Sequence, residues 1–410
     1  MINKEMLTEY ARLLVEVGVN IRKGQRLLIN APVDCAEFVR LCATAAYDAG
    51  CAEVVVNWSD DYLAREKFLR AEDKIFESFP SWRRDFLMDL ADDGAAKLAI
   101  YASDPESMKG VDPARLLGWE RVAGAAMEDY RNMQMRNDFP WCVASIPIVS
   151  WAKKVSPDLS DKEAVDGLWN KIFSALRIDG SGNAVERWRE HIATLAARCE
   201  KLTSLAFKKL RYSNSIGTDL TIELPDNHVW LGGSEVTTKG QVFVANMPTE
   251  EVFTAPKRDG VNGRVVASMP LVKDGNVING IVMEFKDGRI VSATARTNED
   301  ILKAAIAVDE GASYLGEVAL VPFKSPISDM KTLFYNTLFD ENASCHLAFG
   351  DAYPCVAGGA SMSREELNAA GLNSSVTHED FMVGTADLSI VGVGADGKET
   401  PVFIDGNFAL

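Results

Sequence analysis

Arg26-Leu-Leu-Ile-Asn30, a helical stretch from Ala36 to Ala49, and Glu53-Val-Val-Val-Asn-Trp58 together decide the fold of the first half of the chain. The outer pieces are short apolar runs of strand length, and the middle piece has helical spacing and is stopped by Gly50. Strand, helix and strand in that order predict a βαβ unit with parallel strands, because only a crossover helix returns the chain in the same direction. The pattern continues outward. An amphipathic stretch from about Lys4 to Val17 precedes it, and Lys97-Leu-Ala-Ile-Tyr101 and Trp141-Cys-Val-Ala-Ser-Ile146 follow, each after a helical segment. The expectation is an α/β domain with a mainly parallel sheet, in which Glu53–Trp58 is a second buried strand.

Two long helices close this half. Ser160 and Glu163 form a capping box ahead of Val165, Leu168, Trp169, Ile172, Phe173 and Leu176, which recur at helical spacing. The second helix runs from about Ala184 to Leu202, with Val185, Trp188, Ile192 and Leu195 on one face. Both stripes read as core.

Past about Thr203 the texture becomes β-rich: Lys209-Leu-Arg-Tyr212, Leu220-Thr-Ile-Glu-Leu224, Gln241-Val-Phe-Val-Ala245 and Gly280-Ile-Val-Met-Glu-Phe285. Asp274-Gly275, Asp287-Gly288 and Asp396-Gly397 mark hairpins between such runs. One helix interrupts them, with Asn298 as its cap and Glu299 and Asp300 in its first turn. Residues 1–203 are therefore expected to form the α/β domain, and 204–410 a β-rich, antiparallel and barrel-like catalytic domain.

A chain of 410 residues is long enough for about two cores, and 47% hydrophobic with 25% charged residues is a globular composition. The formal charge of −16 disfavours nucleic acid and anionic membrane surfaces as partners. Lys4, Glu5, Glu9 and Arg12 break up any signal-peptide core, and no uncharged apolar run approaches the roughly 18 residues of a membrane span. A cytoplasmic location is expected. Seven cysteines without a CxxC pair read as reduced, buried thiols.

The βαβ half invites a nucleotide-binding reading, yet the turn Asn30-Ala-Pro-Val-Asp-Cys35 has no glycine to let a pyrophosphate approach. The GxGxxG match at Gly392-Val-Gly394-Ala-Asp-Gly397 lies between two strand-like runs with no helix behind it, as in a hairpin.

Acids and imidazoles carry the chemistry instead. On a strand from Val376 to Val383, His378 and Asp380 share a face, two ligands of the kind that Zn²⁺, Co²⁺ or Mn²⁺ accept. His346 follows Asn336-Thr-Leu-Phe-Asp-Glu-Asn-Ala-Ser344. Asn246-Met-Pro-Thr-Glu250-Glu251-Val-Phe-Thr-Ala-Pro256 places two neighbouring carboxylates on an extended path, where they face opposite ways. Glu317 heads the apolar run in Leu315-Gly-Glu317-Val-Ala-Leu-Val-Pro322, where an unpartnered charge is costly. His191 and His228 read as solvated or locally bonded residues.

These four segments, in the order in which they follow along the chain, resemble the thermophilic metalloaminopeptidase family, and the likeness extends through Trp58-Ser-Asp-Asp61 and Arg65-Glu-Lys-Phe68. The resemblance implies Glu251, Glu317, His346, His378 and Asp380 as ligands of two divalent metal ions, with Tyr353 a further active-site residue. Glu251 is preferred to Glu250 on its spacing to Glu317. It also implies a homodimer acting on short peptides with a free N-terminus.

In such a site the metals activate water and polarise the carbonyl. Glu250 is expected to move the proton, and Tyr353 to donate to the oxyanion. A related metallo-amidase and a non-catalytic peptide- or metal-binding protein are the competing readings.

Overall fold

The computed structural model describes residues 3–102, 104, 106–273 and 276–410. It forms two compact units, Met1–Glu190 with Ser234–Pro248, and His191–Gly233 with Thr249–Leu410. The change of unit falls inside the helix Ala184–Leu205, upstream of the 203/204 boundary expected from composition.

The first unit is built on strands β1 (Arg26–Pro32), β2 (Glu53–Ser59), β3 (Ala96–Tyr101), β4 (Trp141–Ser145) and β5 (Asn246–Met247), in the order β2-β1-β3-β4-β5. Every pairing is parallel, as the βαβ reading requires. Helix Ala36–Asp48 supplies the crossover from β1 to β2. β2 corrects one expectation. It is the edge of the sheet rather than a buried strand, because β1 is its one neighbour, and Trp58 is 43% exposed. The N-terminal helix spans Lys4–Leu13 and ends in a π-helical turn, Leu14–Gly18.

The capping box forms as expected, with Ser160 N–H donating to Glu163 Oε2 (3.1 Å) at the start of helix Asp161–Ala175. Leu168, Trp169, Ile172, Phe173 and Leu176 are buried, as are Val185, Trp188 and Leu195. All seven cysteines are buried.

Gln241–Ala245 yields only a two-residue strand, Val242–Phe243. Its neighbours spend their backbone groups elsewhere: Val244 N–H donates to Gly18 O, and Ala245 O accepts from Val143 N–H.

In the second unit an eight-stranded sheet runs Arg289–Thr294, Val282–Lys286, Val261–Val266, Asp219–Glu223, Lys209–Ser213, Ser389–Val393, Glu399–Ile404 and Asn407–Phe408. Its pairings are antiparallel. Asp287-Gly288 turns one of its hairpins with both residues at positive φ, and Asp396-Gly397 turns another. Asp274-Gly275 lies outside the described residues, between the paired strands Leu271–Lys273 and Asn276–Ile278. Gly392 sits in a strand against the Phe207 ring, so the GxGxxG match is hairpin, not cradle. Asn298 precedes helix Glu299–Ile306 in a left-handed conformation and donates to Val277 O rather than capping the helix.

A second, four-stranded antiparallel sheet carries the polar residues. Its order is β6 (Val252–Thr254), β7 (Leu315–Leu320), β8 (His346–Gly350) and β9 (His378–Met382). One face, with Val318, Leu320, Leu347, Phe349 and Phe381, belongs to the unit's apolar core. The other face holds the acids and imidazoles.

Candidate metal centre

Strand register assembles the site. Glu317 on β7 pairs with Ala348 on β8, and Ala348 pairs with Asp380 on β9, so the two carboxylates flank an alanine in one cross-strand row. In the next row Phe253, Ala319, His346 and Met382 are paired in turn, and His378 lies opposite Gly350. The period of two along each strand puts these residues on one face. Ala319, Ala348 and Gly350 make the middle of that face small, which leaves room above the sheet between the longer polar side chains. Gly350 has no substitute: its φ is +111°, and a Cβ there would lie 2.1 Å from Thr377 O.

Glu251 enters from the segment before β6. Two groups result, Glu251, Glu317 and His346, and Glu317, His378 and Asp380, and in each the donor atoms lie within 4.8 Å of one another. Glu317 is common to both. His346 Nε2 is 3.1 Å from Glu251 Oε2 and 3.5 Å from Glu317 Oε1. His378 Nε2 is 3.5 Å from Glu317 Oε2 and 3.4 Å from Asp380 Oδ1.

Both imidazoles are oriented from behind. His346 Nδ1 donates to Ser344 O (3.1 Å) and His378 Nδ1 to Asp351 O (2.7 Å), so each Nε2 is aimed at carboxylates. Arg364 grips the Asp351 carboxylate with two hydrogen bonds, of 3.0 and 3.1 Å.

The electrostatics express the crowding of like charges. Burial works against a charged His346, but its contacts with Glu251 and Glu317 outweigh that and hold its pKa well above the ordinary value. The same contest at His378, with Asp380 the main partner, raises its pKa to about 10. Burial raises the Glu317 carboxyl. Burial also acts to raise Asp380, yet His378 and His346 bring it below the usual range.

Glu251 Oε2 and Asp380 Oδ1 are buried without a hydrogen bond. The acids hold a proton on each neighbouring imidazole, and a divalent cation that displaces those protons would take over the same charge compensation. Mixed N and O donors suit a divalent transition ion, so the residues present fit a metal.

Tyr353 stands at the rim, 41% exposed, its ring centre 5.6 Å from that of His378 and 5.6 Å from that of Phe253. Desolvation and the fields of Glu317 and Asp380 push its hydroxyl pKa up, which keeps the phenol a proton-bearing donor.

Glu250 is not part of this gathering. Neighbours on an extended chain point apart, and with Glu251 turned to His346, Glu250 turns to His191, whose Nε2 is 3.7 Å from its Oε2. Glu250, expected to move the proton, thus lies beside His191 and outside the two groups of donor atoms. His191 is also not merely local, since its Nε2 bonds Thr249 O at 2.8 Å. His228 is local as expected, bonded to Pro225 O at 2.9 Å.

A further acid, without a strand or helix period in the sequence, stands near this cluster. Glu341, in the turn Glu341–Ala343 ahead of β8, has a carboxyl pushed well above its usual pKa by burial and by the fields of Glu251 and Asp380. Its signal was the polar triplet Asp340-Glu341-Asn342 between the buried Phe339 and Ala343.

A sheet that gathers acids and imidazoles around shared donor positions defines the class of metal-dependent enzymes. Residues 3–408 match the thermophilic metalloprotease (M29) family. The chain is 46% identical over 407 residues to aminopeptidase AmpS of Bacillus subtilis, covering 99% of each. It is 43% identical over 409 residues to aminopeptidase PepS of Streptococcus thermophilus, covering 99% of this chain and 98% of the other. The solved structure of wild-type AmpT from Thermus thermophilus superposes with a TM-score of 0.92 at 35% identity, over 99% of this chain and 100% of that one. The chain belongs to the thermophilic metalloprotease (M29) family. Among the described residues no helix is long and apolar enough to cross a membrane.

Proposed function

We propose that the chain is a metalloaminopeptidase that removes N-terminal residues from short peptides at a two-metal site, with Glu251, Glu317, His346, His378 and Asp380 as ligands. The observation that carries the two-metal reading is Glu317, shared by two groups that can each hold an ion. Charge supports it. With both imidazoles neutral, Glu251, Glu317 and Asp380 carry three negative charges and Glu341 can add a fourth. Two divalent cations match this total, and one leaves the buried cluster negative. The donor set fits zinc, cobalt or manganese, and the family resemblance extends the reading to a homodimer.

Bound there, divalent ions supply Lewis acidity for the scissile carbonyl, a lowered pKa for the attacking water, and an attachment point for the free α-amine. The chain's own residues do the rest. Glu341, placed within the field of Glu251 and Asp380, takes the water's proton on a carboxylate oxygen as the hydroxyl adds to the carbonyl carbon. It returns that proton to the leaving amine as the C–N bond breaks. Tyr353, kept protonated, donates a hydrogen bond to the developing oxyanion. His346 and His378 are held in one tautomer by Ser344 O and Asp351 O and stay fixed through the cycle.

Free di- to pentapeptides are expected to shorten one residue at a time from the N-terminus, with N-acetylated copies untouched. Cleavage of the blocked peptides at comparable rates would overturn the exopeptidase reading.

A further inference from the structure

We infer that Asn342 and His191 are positioning residues that clamp a single peptide bond, Thr249–Glu250, and thereby aim Glu251 at its metal position. The inference rests on the two-metal reading above and deepens it.

The two ends of that peptide unit are held from opposite sides. Its carbonyl, Thr249 O, accepts from His191 Nε2 at 2.8 Å, and its amide, Glu250 N–H, donates to Asn342 Oδ1 at 2.7 Å. Holding both poles fixes the rotation of the peptide plane, and with it the direction in which the next side chains leave the backbone. Asn342 is itself immobile. It is 0% exposed, and its Nδ2 donates to Leu338 O at 3.0 Å, which leaves Oδ1 facing the Glu250 amide.

A buried asparagine that bonds only its own turn would be ordinary structural satisfaction. This one reaches across ninety-two positions of sequence to the segment that carries a candidate ligand. His191 closes the other side, from a helix distant in sequence from both.

On the far side of Glu251 the chain is fixed again. Phe253 exchanges backbone hydrogen bonds with Leu231, at 2.8 and 2.9 Å, and a Cβ on Gly232 would lie 2.5 Å from Glu251 O. Glu251 therefore sits on a short span pinned at both ends. His378 and Asp380 lie on β9, which this clamp does not touch. The two metal positions should feel its loss unequally, since ligands are held in place by the hydrogen bonds behind them.

The test is metal binding rather than turnover. Metal-free wild type, Asn342→Leu and His191→Phe are titrated with Co²⁺ against a competing chelator, and the melting temperature of each metal-free protein is recorded. Wild type is expected to take up two ions. In each variant one of the two binding steps should weaken by roughly 10- to 100-fold while the other changes little.

His191→Gln, whose amide can still donate to Thr249 O, should restore most of the loss. In a Glu251→Ala background, Asn342→Leu should weaken metal binding no further, because it acts through Glu251.

Equal weakening of both steps, no weakening of either, or an undiminished effect in the Glu251→Ala background overturns the inference and leaves the two-metal reading standing. Wild type that binds no metal overturns both. Should Asn342→Leu fail to fold, the His191→Phe and His191→Gln pair decides alone.

Discussion

The parallel sheet of the first unit and the four-stranded sheet of the second both draw a charged residue out of water, Lys97 half-buried and Glu317 buried, and they treat it in opposite ways. Lys97 on β3 is a lone cation: its Nζ donates to the neutral amide of Gln134 at 2.7 Å, and burial lowers its pKa to about 8. Glu317 on β7 is one of several acids facing two imidazoles, in a strand whose six residues are all buried. A solitary buried charge shifts its own pKa and disturbs little else. A buried cluster of like charges cannot relieve itself that way and calls for counter-ions. Grouping, more than burial, separates a functional site from a tolerated defect.

Glu317→Gln should break the comparison most severely, because it removes the donor common to both groups. Metal affinity is expected to fall by more than the roughly 10- to 100-fold that loss of a supporting partner costs, and turnover should go with it. Retention of both ions by this variant, measured by elemental analysis, would show that Glu317 bridges nothing.

The neighbouring acids sharpen the contrast. Glu341→Gln keeps shape but cannot accept a proton, so turnover should drop roughly 10²- to 10⁴-fold while metal content stays. Glu250→Gln, facing His191, should leave turnover much nearer wild type. Metal content and kcat on the same preparations separate the two, and the reverse order would return the proton-carrying role to Glu250.

The smallest effect belongs to Lys97. A lysine whose folded pKa lies below its unfolded value of about 10.5 contributes its stability above that value, and loses it as pH falls through about 8. Lys97→Met should therefore melt higher than wild type at pH 7, with the advantage shrinking toward pH 10.5, and with metal content and turnover unchanged. Melting curves at the two pH values check the sign.

What could be read in advance follows the range of the interactions. Apolar run lengths and Gly50 sufficed for β1, its helix and β2, because those signals are local. Val54-Val55-Val56 reads alike at the edge and in the middle of a sheet, so the edge position of β2 had no sequence signature. His378 and Asp380 were legible from the two-residue period of a strand, and the same alternation separated Glu250 from Glu251.

Glu341 lies on a short 3₁₀ turn with no period to betray its direction. Asn342 and His191 act through partners far along the chain, and no local pattern encodes such a contact. Asn298 has the residue type of a helix cap, whereas its backbone is left-handed and its side chain donates to Val277 O.

The most direct test of the central claim is a count of metal ions against activity. The protein is stripped by prolonged chelation, refilled stepwise with Zn²⁺, Co²⁺ or Mn²⁺ alone, and assayed at each step on a free tripeptide. Two ions per chain at full occupancy, and no cleavage in the stripped protein, are the results predicted. Full cleavage by protein that elemental analysis shows to be metal-free would contradict the account.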